Sequence, residues 1–110
     1  MAEGKFDLTA PLIGREGAPI KRTADTNFTL RDVILDAIDG RAETDGKPGA
    51  SQAFMALTRL YCRVAVAETE IEMTAEQVTL ACDRVALIFG PGQLHSAVLR
   101  LINPAALTQA

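Results

Sequence analysis

The sequence predicts an α+β domain: a small N-terminal β-hairpin packed on a cluster of three to four helices. Three observations carry this expectation. Two glycines bound a four-residue loop between short apolar stretches in PLIGREGAPI. Two threonines, Thr29 and Thr74, open runs whose apolar residues recur at helical spacing. A Gly-Pro-Gly break separates the last two helical patterns. With 110 residues the chain fits one domain, 1–110, and one modest core.

Residues 1–28 read as a β element and arm. PLI and API flank Gly14-Arg15-Glu16-Gly17, which suggests a hairpin. Pro11 and Pro19 lack N–H groups and fit only edge positions or strand ends. An isolated hairpin is marginal in water, so this element has to lie against helices or a partner.

The first helix is expected over 29–39. Thr29 serves as N-cap, and Asp32 stands at the third helical position, where its carboxylate can reach back to the cap. Phe28 and Val33 occupy the two positions of a hydrophobic staple. Leu30, Val33, Ile34, Ala37 and Ile38 form one apolar face, and Gly40 reads as the stop. RAETDGKPGAS follows as a loop. A second helix is expected over 52–67 with Ser51 as its cap and Phe54, Leu57, Leu60, Tyr61 and Val64 as its buried stripe. In ETEIEM, glutamates alternate with Thr69, Ile71 and Met73, as in a short strand or extended linker with one acidic face.

The third helix, 75–89, repeats the solution used at the first. Thr74 caps, Gln77 takes the reciprocal position, and Met73 with Val78 forms the staple. FTLRDVIL and MTAEQVTL therefore match because each starts a helix; the flanking sequences do not align, which argues against an internal duplication. Val78, Ala81, Cys82, Val85, Ile88 and Phe89 make its core face, while Leu80 and Leu87 stand off it, seven residues apart. A fourth helix, 93–102, shows Leu94, Ala97, Val98, Leu101 and Ile102 on one side. Residues 103–110 form a tail, read as loosely held or partner-bound.

Composition narrows the function classes. A net charge of −3 argues against a general nucleic-acid binder, although Arg15, Lys21 and Arg22 form a local basic group. Cys62 and Cys82 have no metal-ligand spacing and read as buried free thiols; a disulfide between them is the alternative. The polar N-terminus lacks an apolar leader, and no apolar run is long enough for a membrane span. The expected location is the cytoplasm of a bacterial host, or a virion.

Chemistry is sparse. His95, the only histidine, adjoins Ser96, but neighbouring helical residues do not face each other. Gly90-Pro91-Gly92 precedes a helix without the residues of a phosphate loop. The reading is a non-enzyme, with no catalytic residues, no metal and no cofactor.

The segments PLIGREGAPIK, FTLRDVILDAI and EIEMTAEQVTLACDRVALIFGP, in this order, resemble small proteins encoded in tailed-phage and prophage genomes. The likeness spans Leu8 to Leu101 and implies a phage setting rather than an activity. The expected role is protein–protein contact, in virion assembly or as a virion component, with self-association left open. Ile13, Arg15 and Ile20 on the hairpin, and Leu80 and Leu87 on the third helix, are the candidate contact residues. The hairpin edge would extend a partner's sheet. The alternative is an acidic inhibitor of a bacterial defence or regulatory complex. In that reading Asp32, Asp36, Asp39, Glu68, Glu70 and Glu72 form one face that stands in for nucleic-acid phosphates.

Overall fold

The computed structural model describes residues 4–40 and 50–108, the side chains of 50–53 excepted. It has the α+β architecture the sequence predicts. Strand β1 (Gly4–Asp7) is followed by helices α1 (Leu30–Asp39) and α2 (Ala50–Val66), strand β2 (Glu70–Met73), and helices α3 (Ala75–Phe89) and α4 (Gln93–Ile102). A 3-10 helix over Pro104–Thr108 orders part of the segment read as a loose tail.

The two strands pair antiparallel, from Gly4 opposite Met73 to Asp7 opposite Glu70. The acidic alternation seen in ETEIEM is a strand pattern: Ile71 and Met73 are buried, while Glu70 and Glu72 face outward. Lys5 stands opposite Glu72, a favourable cross-strand pair. Asp7 stands opposite Glu70, an unfavourable one. The Asp7 carboxylate turns to Thr9, accepting from its hydroxyl at 2.6 Å and its backbone N–H at 2.8 Å. These bonds hold its pKa below the usual carboxylate value.

Both capping boxes are present. At α1 the Asp32 N–H donates to Thr29 Oγ1 at 3.2 Å, and the Thr29 N–H donates to Asp32 Oδ2 at 3.3 Å. At α3 the Gln77 N–H donates to Thr74 Oγ1 at 3.2 Å, and the Thr74 N–H to Gln77 Oε1 at 3.1 Å. Helix α2 begins two residues before the expected start, so Ser51 lies within it rather than capping it. Residues 41–49, which the sequence reads as a loop, lie outside the described residues.

Helix α1 packs on α2 and α3, and α4 packs on α3 and the 3-10 helix. Leu8, Leu12, Leu30, Val33, Ile34, Leu60, Val64, Met73, Val78, Val85, Val98 and Ile102 form one core. Arginines finish the helix ends. Arg31 of α1 donates to the carbonyls of Val64 (2.9 Å) and Glu68 (2.6 Å) at the end of α2. Arg84 of α3, buried, donates to the carbonyls of Ala37 (2.9 Å) and Gly40 (2.7 Å) at the end of α1. Each places positive charge at the negative end of a neighbouring helix.

Several expected core positions are corrected. Phe54, read as part of the buried stripe of α2, is exposed, as is Leu101 on α4; Leu99 is buried instead. Phe89 is also partly outside, 37% exposed, with its ring edge against Phe28. Cys62 is exposed and Cys82 buried, and both thiols are free. Burial, then the adjacent Asp83 carboxylate, pushes the Cys82 thiol up to about 11.

Candidate partner-binding cleft

Between β1 and α1 the chain makes three short segments, around Pro11–Gly14, Ala18–Arg22 and Thr26–Leu30. Each touches the other two through a single antiparallel bridge: Pro11 with Thr29, Ile13 with Pro19, and Lys21 with Asn27. Every bridge is flanked by two backbone hydrogen bonds made by the residues beside it. The bridge residues are thus of the kind whose own N–H points away from the partner strand. That is why proline is accepted at positions 11 and 19: no ladder donor is lost.

Three corner residues close the ring. Leu12 N–H donates to Phe28 O at 3.0 Å, Phe28 N–H to Ile20 O at 2.8 Å, and Ile20 N–H to Leu12 O at 2.8 Å. Leu12 is fully buried, and Ile20 and Phe28 pack partly on the core. The expected hairpin is therefore one side of a closed three-segment arm. The ring engages the N–H groups of Leu12, Ile20 and Phe28, while those of the bridge residues Ile13, Lys21 and Asn27 point away from their partners.

The arm is fastened at two places. Arg22 pairs with Asp32 at 3.0 Å and Asp36 at 2.8 Å, with its guanidinium carbon 5.9 Å from the centre of the Phe28 ring. Arg100 of α4 donates to the Ile13 carbonyl. Gly14 lies so close to α4 that a Cβ there would sit 2.8 Å from Gln93 Oε1. At the tip, Gly17 N–H returns to Gly14 O at 3.0 Å, and Gly17 takes φ +79°, a conformation that favours glycine.

These fastenings leave a cleft of about 890 Å³ between the arm tip and the first turns of α4. Arg15, Lys21 and Arg100 line it with a single acid, Glu16. Ala18, Pro19 and Ile20 give it an apolar side, and Gln93 and Ser96 a polar one. The N-cap of α4 is Gly92, so no side chain caps this helix start. Ser96 Oγ donates to the Gln93 carbonyl at 3.2 Å.

The five residues singled out as contact candidates fall into two places. Arg15 and Ile20 line the cleft, and Ile13 adjoins it, 37% exposed, through the carbonyl that Arg100 holds. Leu80 lies instead in a shallow hollow on α3 with Glu76 and Asp83, where it packs partly on the core. Leu87, two turns on, is half exposed. Gln93, Ser96 and Arg100 complete the cleft lining, and the sequence marks none of them as contact residues. The Arg100–Ile13 contact joins positions 87 residues apart, and no local pattern signals it.

The six acidic candidates are divided between α1 and the region of β2. Arg22 engages Asp32 and Asp36. The negative charge of Asp39, then the hydrogen bond it accepts from the Tyr61 hydroxyl at 3.2 Å, raises the Tyr61 pKa. Glu68, Glu70 and Glu72 are exposed, with Glu72 opposite Lys5. Among the described residues, no group of three or more His, Cys, Asp or Glu side chains could hold a metal ion. No helix among them is long and apolar enough to cross a membrane. Comparisons with protein-family models, curated proteins and solved structures found no match for this chain.

Proposed function

We propose that this chain is a non-enzymatic phage or prophage protein that acts by binding another protein, in virion assembly or as a virion component. The observation that carries the reading is the arm itself. A closed backbone ring and two arginine fastenings hold its tip away from the core, with Arg15 and Ile20 facing a cleft beside α4. A preformed surface of this kind lowers the ordering cost of binding. The cleft lining has one hydroxyl, already engaged, and no histidine or cysteine, which suits recognition better than covalent chemistry. The phage setting rests on the sequence resemblance alone.

Photo-crosslinking tests the reading. A photoreactive residue at position 15 or 20, in lysogenic or infected cells, should cross-link to a virion or assembly protein. The same residue at Val66, which is 81% exposed and not part of the cleft lining, should not. Cross-links from position 66 alone, or none from the arm in cells producing virions, would remove the proposal.

A further inference from the structure

Cation use is uneven in this protein. Arg22, Arg31, Arg63, Arg84 and Arg100 all bond to backbone carbonyls or side-chain oxygens and are part of the fold. Among the described residues the side chains of Lys5, Arg15, Lys21 and Arg59 make no hydrogen bond or ion pair, and of these Arg15 and Lys21 line the cleft. With Arg100 they outnumber the one acid of the lining by three to one, in a chain of net charge −3. A concave lining opposite in sign to the chain as a whole favours a partner of complementary charge. The uncapped first turn of α4, at the floor of the same cleft, adds N–H groups of the same polarity.

We infer that the cleft takes an acidic peptide segment of the partner protein, with Arg15 and Lys21 as the specificity-determining cations. This rests on the protein-contact reading above and adds the chemistry of the partner. Carboxylates of the segment would meet Arg15, Lys21 and the first turn of α4. Apolar side chains between them would rest on Pro19 and Ile20. Nucleic acid is the poorer occupant, because the lining holds no aromatic side chain on which a base could stack. The cations also form a short cluster rather than the extended track a phosphate backbone needs.

The test is fluorescence anisotropy with the intact chain and a labelled peptide in which glutamate alternates with leucine. Controls are its lysine–leucine counterpart and a single-stranded thymidine oligonucleotide of equal charge. Saturable binding of the acidic peptide, falling with salt, is expected, with neither control binding as tightly. R15Q/K21Q should weaken it about tenfold or more, with an unchanged melting curve because both side chains are exposed. Amide shifts should concentrate in residues 14–21 and 92–96. Absence of peptide binding, equal binding by R15Q/K21Q, or tighter binding of the oligonucleotide would overturn the inference. A cross-link from position 15 would survive that failure and leave the contact reading standing. Loss of the cross-link with peptide binding intact would remove the contact reading instead.

Discussion

Thr29 and Thr74 use one hydroxyl in the same way: each accepts the N–H of the residue three positions on, which answers with its own side chain. This was legible because every atom involved lies within four residues. Thr29→Ala and Thr74→Ala should each cost about 1 kcal/mol in denaturant unfolding, with serine restoring most of it. Gly17→Ala tests the arm tip. A Cβ there meets nothing within 4 Å, so only the positive φ opposes it. A loss of about 1–2 kcal/mol is expected, and no change would mean the tip is not held at that φ. Arg84 was not legible. An arginine in a helical pattern ordinarily reads as solvent-facing, and its carbonyl partners lie more than forty residues back.

At the scale of elements, α1, α3 and α4 could be read from apolar periodicity and end signals, with α3 and α4 matching their expected bounds. Strand β2 was legible from its alternation, whereas β1 was not. GKFD is too short to show a period, and its partner is distant in sequence. The errors in side-chain burial have one cause. Periodicity gives the direction of a face but not the extent of what covers it. Phe54 lies near the start of α2, beyond the cover its stripe predicted, whereas Leu99 is buried on a helix that packs on both α3 and the 3-10 helix. Two substitutions separate the members of one expected pair. Leu80→Ala should destabilise by about 1–2 kcal/mol, because Leu80 packs partly on the core. Leu87→Ala should stay within about 0.5 kcal/mol. Arg84→Met, which removes donors from the carbonyl end of α1, should cost about 2–3 kcal/mol by the same measurement.

Across the whole molecule, the cleft was half legible. Its arm residues come from a stretch whose glycines, prolines and cations are visible in sequence, but its α4 side meets the arm only in the folded chain. The cysteines give a global check. Cys62 should react with a thiol reagent in the native protein, and Cys82 only after unfolding. Cys82 also ties stability to pH. Its thiol ionises near 9.0 in the unfolded chain and at about 11 in the fold. The folded state therefore gains from the neutral thiol in full below about 9 and loses that advantage as pH rises through about 11. Cys82→Ala should flatten this part of the pH dependence relative to the parent protein.

Both the proposed contact and its acidic partner require the arm to be a formed surface in the free protein. Amide hydrogen exchange of Leu12, Ile20 and Phe28, whose N–H groups close the ring, measures this directly. Protection within reach of that of the buried turns of α1 and α3 is the predicted result. Exchange at the rate of an unstructured peptide would mean that the ring is open in solution, and the cleft would have no wall on that side.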